Sequence, residues 1–276
     1  MEKMDPGTIH YKIAGEGKLT KPMTPETSPE TPVPVAAPPA AVPEKPAYEL
    51  LTSPAITFAF LAVLLAVSFS GSGAQHRLSR SGRSTLYLIT IGWEWLMTGT
   101  IFLLVRKNGR KIRDVIGGRW DTVEDFLLDI GIAVGFWIVS SMVLVGVAVL
   151  MGMNNPANME KARSATSFLM PQSTLELALW PVLTCTAGFC EEIIFRGYLL
   201  KQFAAMTRSA WLGMAISSVI FGLSHGYQGA KLMFVITIYG MMFAMLAYFR
   251  KSTRPGMMAH AWQDTFAGLA RHFLHM

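Results

Sequence analysis

Three sets of polar residues interrupt otherwise apolar runs in the second half of this chain. They are Glu191-Glu192-Ile193-Ile194-Phe195-Arg196, Phe221-Gly222-Leu223-Ser224-His225 and His260-Ala261-Trp262-Gln263-Asp264. Glu192 and Arg196 are four apart, so on a helix they share a face and can neutralise each other as an ion pair. Glu191 is turned about 100° from Glu192 and has no such partner, which leaves it free to act on a proton or a water. His260 and Asp264 are again four apart, and a carboxylate beside an imidazole fixes its orientation or completes a polar pocket. Two histidines and a carboxylate from three helices can converge on a single water or a metal ion.

Each set alone has a plainer reading. A lone Glu-Arg pair in a membrane helix serves as a buried structural pair or a transport element, and a single histidine as a satisfied packing residue. The coincidence of three correctly spaced sets favours chemistry. Glu94, between Trp93 and Trp95, reads as a structural hydrogen-bonding anchor, with an accessory site residue as the alternative. Gly222-Leu223-Ser224-His225-Gly226 matches the G-x-S-x-G string, but that string needs a strand-to-helix elbow and here it lies in an apolar helix. Neither H-E-x-x-H nor a glycine-rich phosphate loop occurs. His10, His76, His272 and His275 lie in tails or loops and receive no role.

The elements that must position these groups are membrane helices. The chain is 51% hydrophobic and 15% charged, against roughly 25% charged residues in a soluble domain. Apolar runs long enough to span a bilayer occur at about 54–72, 84–105, 126–152, 175–200, 208–227, 231–249 and 254–273. The expected fold is all-α, a polytopic membrane bundle of seven transmembrane helices, eight if a short helix over 167–177 precedes a span starting at Pro181. Residues 1–50 form a disordered cytoplasmic tail, with ten of the fifteen prolines before residue 48, and 51–276 the membrane domain. With the N-terminus inside, 16 Lys and Arg fall in inner loops and 7 in outer ones, the asymmetry of a cytoplasmic N-terminus. The net charge of +6 therefore sets topology and does not point to nucleic acid. Cys185 and Cys190 point about 140° apart on a helix and read as packing residues.

The ordered motifs Glu191-Glu192-x-x-x-Arg196, Phe221-x-x-x-His225 and His260-x-x-x-Asp264, with Phe195-Arg196-Gly197-Tyr198-Leu199-Leu200 beside the first, resemble the CPBP family of intramembrane proteases. That family includes the type II CAAX prenyl endopeptidases and bacteriocin-processing enzymes. The resemblance covers 125–273, an expected protease core. It implies a catalytic cavity within the bilayer, with Glu191 as general base, His225 helping to hold the water, and His260 and Asp264 stabilising the oxyanion or completing a metal site. Glu192, Arg196 and Phe221 would support them. A zinc ion held by His225, His260, Asp264 and Glu191 is one version and a metal-free glutamate protease the other; either activates water. Many members carry Asn where Asp264 stands, and an ionised Asp cannot donate a hydrogen bond. The substrate implied is a membrane-embedded or lipidated protein or peptide; the compact, loop-poor chain and the style of its tail suggest a bacterial plasma membrane. A proton-coupled transporter using Glu191, Arg196 and the histidines as a relay, and an inactive membrane scaffold, are the competing readings.

Depth poses a difficulty. Straight, untilted helices put Glu191 about 15 Å from Pro181 and His225 about 26 Å from Arg208, one near the midplane and the other near the outer surface. Tilt, a fifth helix that starts well inside the cytoplasm, or a bend at Gly222 or Gly226 must reconcile them.

Overall fold

The computed structural model describes residues 48–80 and 82–274, and only the backbone of 71–80 and 274. The proline-rich tail lies outside the described residues. The described chain is helical without strands: α1 (Pro54–Arg80), α2 (Arg83–Lys107), α3 (Ile112–Ile116), α4 (Val123–Leu150), α5 (Pro156–Thr166), α6 (Thr174–Glu191), a π-helical segment (Glu192–Leu199), α7 (Leu200–Thr207), α8 (Ala210–Ser224), α9 (Ala230–Arg250) and α10 (Arg254–Leu274).

Each of the seven apolar runs emerges as a helix. Among the described residues four are long and apolar enough to cross a membrane, namely Arg83–Lys107, Val123–Leu150, Thr174–Thr207 and Ala230–Arg250. The apolar stretches Pro54–Ser70 and Ala210–Ser224 are shorter. Together they make this an integral membrane protein. The additional short helix is not over 167–177 but at Pro156–Thr166, where Asn155 caps the first turn and Pro156 opens it. Pro181 does not begin a span, because α6 starts earlier. The Ser173 hydroxyl accepts from the Glu176 amide and the Glu176 carboxylate accepts from the Ser173 amide, a capping box that satisfies the first donors of the helix.

The 34-residue run from α6 through α7 is the axis of the bundle. Half of its most apolar window is buried, against 11% for α4, whose outer face shows Leu128, Ile138, Met142, Val145 and Leu150. Lipid is the only solvent that suits such a face. Ile193, Ile194, Phe195, Tyr198 and Leu199 of the π segment form the centre of the main core with Phe60, Ile101, Val115 and Phe221.

Close approaches and polar clamps hold the other helices against this axis. A Cβ on Gly188 would stand 2.7 Å from the Ala261 nitrogen and 2.8 Å from the Met257 oxygen, so only glycine lets α10 lie this near α6. A Cβ on Gly222 would overlap the Thr237 hydroxyl, which brings α8 equally close to α9. The buried Asp129 of α4 accepts from Arg250 Nε at 2.9 Å and from Trp120 Nε1 at 2.7 Å, tying α4 to α9. Gln202 of α7, wholly buried, accepts from the Leu51 amide at 2.6 Å and donates to the Thr52 carbonyl at 3.0 Å. That clamp fixes where α1 begins.

Candidate active site

The central helix changes hydrogen-bonding pattern where its charges begin. Glu191 is the last residue of α6 and Glu192 the first of the π segment. Such wide turns recur at functional sites because they re-aim consecutive side chains. The two neighbours end in different surroundings: Glu191 keeps 17% of its side-chain surface, Glu192 none.

Glu192 pairs with Arg196 at 2.8 Å, as the four-residue spacing required, and both are buried. The guanidinium also donates to the Gly240 carbonyl at 3.1 Å and lies 4.3 Å from the Phe221 ring and 5.0 Å from that of Phe243. Hydrogen bonds and aromatic faces together support a cation that lipid would not. Glu192 does more than balance it. His260 Nδ1 lies 3.3 Å from the same oxygen, Oε1, so this carboxylate spans α6, α9 and α10 through its partners.

His260, 4% exposed, stands among three carboxylates. With Nδ1 turned to Glu192, its Nε2 lies 3.6 Å from Asp264 Oδ2 and 3.7 Å from Glu191 Oε2. The imidazole is packed on its sides by Phe243 at 5.2 Å and Phe221 at 6.1 Å between ring centroids. Its orientation is thus set by packing and by Glu192, and its other nitrogen faces Asp264 and Glu191.

His225 closes α8 as its C-cap residue. Its Nδ1 lies 2.9 Å from the Phe221 carbonyl and 3.2 Å from Ser224 Oγ, whose hydroxyl itself donates to that carbonyl at 2.7 Å. An Nδ1–H given to a carbonyl leaves Nε2 as the nitrogen available to a water. The Phe221-x-x-x-His225 spacing therefore has a backbone meaning, since one turn of helix brings the carbonyl of the first residue to the ring of the second.

His225 and Glu191 line one cavity of about 260 Å³, with Trp93, Glu94, Phe195 and Tyr227 on its walls. The depth difficulty disappears. The central helix does not end at 200 but continues to Thr207, and a left-handed Arg208 turns the chain back into α8. Arg208 stands midway in sequence between Glu191 and His225, so the antiparallel return brings His225 level with the glutamate. No bend at Gly222 is needed for this. Helix α8 runs through Gly222 and ends at Ser224, followed by a short 3₁₀ turn, Gly226–Gln228.

A metal ion was one expectation for His225, His260, Asp264 and Glu191. Ligands around a tetrahedral ion with bonds of about 2.1 Å stand roughly 3.4 Å apart. His260 Nε2 keeps nearly that spacing from Glu191 and from Asp264, but among the described residues no group of three His, Cys, Asp or Glu side chains could hold an ion. No step below passes through a metal. Cys185 and Cys190 are both free, as their divergence on the helix implied.

Two wall residues escaped the motif reading. Glu94, which the sequence offers as an anchor or an accessory site residue, lines the cavity, and its Oε2 has no hydrogen-bond partner; a carboxylate inside an apolar run is the visible signal. Tyr227 sits two residues beyond the histidine motif, outside any periodic pattern, and nothing in the sequence singled it out.

The polar sets fall together on one block of chain. Residues 173–266 match the family model described as type II CAAX prenyl endopeptidase Rce1-like. This segment resembles that family. It contains Glu191, Glu192, Arg196, Phe221, His225, His260 and Asp264, and it begins at the N-cap of α6. No curated protein and no solved structure matches the chain. Cavity-lining Glu94, on α2, lies outside the Rce1-like segment.

Proposed function

We propose that this protein is an intramembrane endopeptidase in which Glu191 activates the attacking water. The observation that carries the reading is the shared cavity: Glu191, the more exposed of the two glutamates, faces the same space as His225 while His260 Nε2 lies 3.7 Å from its carboxylate. Glu191 takes a proton from a water whose lone pair attacks the scissile carbonyl. His225, its Nδ1 committed to Phe221, holds that water through Nε2. His260, braced by Glu192 and Asp264, points Nε2 towards the charge that develops on the carbonyl oxygen. When the C–N bond breaks, the proton on Glu191 passes to the leaving nitrogen, and the site returns to its starting state.

The Rce1-like match supports a peptide or protein substrate presented in the membrane, and a lipidated one is the version we propose. The loop charges support a cytoplasmic N-terminus. The experiment is cleavage of a quenched peptide library by the purified protein in detergent, comparing wild type with Glu191→Ala and Glu191→Gln. Both variants should lose activity by at least about 100-fold. A Glu191→Ala protein that cleaves as fast as wild type refutes the mechanism, and proton flux in liposomes abolished by the same substitutions would support a transporter.

A further inference from the structure

The cavity contains a second carboxyl group that the mechanism above leaves unused. Glu94 comes from α2 and lines the same cavity as Glu191 and His225. It is 8% exposed, and Oε2 has no hydrogen-bond partner. Two other buried acids of the bundle are different. Asp129 uses one oxygen on Arg250 and the other on Trp120, and Glu176 accepts from two backbone amides. Glu192, whose Oε2 also lacks a partner, is held through Oε1 by Arg196; Glu94 is set apart by lining the cavity of Glu191 and His225.

Burying an ionised carboxylate without a partner costs far more than burying the neutral acid, and two carboxylates facing one small cavity cannot both carry charge cheaply. One proton between them is the least costly occupancy, with Glu191, the more exposed, as the charged member. Glu94 then presents an O–H to the cavity. Peptide hydrolysis needs such a donor, because the carbonyl oxygen gains charge as water adds. His225 Nδ1 and the Ser224 hydroxyl are already given to the Phe221 carbonyl, and an ionised Asp264 has nothing to donate.

We infer that Glu94 is a second catalytic carboxyl group, which donates its O–H to the scissile carbonyl oxygen, beside His260, while Glu191 removes the proton from the attacking water. The inference rests on the proteolytic reading proposed above. As the water oxygen bonds to the carbonyl carbon, the water proton goes to Glu191 and the displaced π electrons reside on the oxygen held by Glu94. Collapse breaks the C–N bond, the Glu191 proton moves to the departing nitrogen, and both carboxyl groups end as they began.

The test uses the full chain in detergent, with kcat, KM and thermal midpoint measured for wild type, Glu94→Met, Glu94→Gln and Glu191→Gln. Glu94→Met keeps the volume without the donor and should lower kcat about 100- to 1000-fold. Its KM should stay within about threefold, as for a contact made only in the transition state, and its midpoint should not fall. Glu94→Gln restores a donor and should recover to within about tenfold of wild type. Wild-type turnover in Glu94→Met, a Glu94→Gln protein as slow as Glu94→Met, or a loss of turnover matched by a lower midpoint would each overturn the inference. If Glu191→Gln cleaves like wild type, or wild type cleaves nothing, the proteolytic reading itself fails and this inference falls with it.

Discussion

Glu192 and His260, 68 positions apart, meet through a single oxygen: Oε1 of the glutamate lies 3.3 Å from His260 Nδ1 and 2.8 Å from Arg196 Nη1. The carboxylate that neutralises the buried arginine also holds the imidazole that faces Glu191. In the proposed mechanism, stability and chemistry therefore share one group.

Separating them is possible. Glu192→Leu strands a buried guanidinium and should cost about 3–5 kcal/mol, seen as a large drop in thermal midpoint in detergent. Glu192→Leu with Arg196→Met removes both charges and should recover most of that loss, yet stay inactive because His260 has lost its brace. Recovery of peptidase activity in the double variant would show that the Glu192–His260 contact is dispensable.

His225 is only half-buried and contributes one ring contact set at the end of α8. Replacement by alanine should reduce kcat/KM by about 10²- to 10⁴-fold and change the thermal midpoint little. A strong fall in midpoint would mean that the ring serves the α8 terminus instead.

The α8–α9 contact at Gly222 depends on a missing methyl group. Gly222→Ala drives a Cβ into Thr237 Oγ1 and should destabilise by about 1–3 kcal/mol, the usual range for overpacking. Adding Thr237→Ala removes the obstructing hydroxyl but leaves the Met233 carbonyl oxygen 2.9 Å from the new Cβ, so it should return only part of the loss in the same unfolding measurement.

Gln202 offers a check remote from the cavity. Gln202→Leu leaves the Leu51 amide and Thr52 carbonyl without their side-chain partner, at about 1–3 kcal/mol for buried groups left unsatisfied. Proteolysis near residues 48–53 should accelerate, while kcat for the folded fraction remains that of wild type.

Metal dependence can be read directly. If Glu191 activates water without a metal, as the mechanism above is written, a chelator should leave the cleavage rate unchanged. Loss of activity restored by zinc would show that His225, His260, Asp264 and Glu191 regroup around an ion when substrate or metal is present.

The sequence by itself determined whatever the helical period or the solvent preference of a segment decides. The helical class follows from apolar runs that lipid alone can solvate. The Glu192–Arg196 pair, and the closeness of His260 to Asp264, follow from a spacing of four, since one turn of helix brings such residues together wherever the helix lies. The division between Glu191 and Glu192 was legible for the same reason. Only the tertiary structure decided how far the central helix runs, and so that His225 returns to the level of Glu191. It alone decided that His260 reaches across to Glu192, and that Glu94 lines the same cavity as Glu191 and His225. These depend on the depth and rotation of one helix against another, set by close contacts at Gly188 and Gly222 and by side chains far apart in the chain, which no local periodicity records.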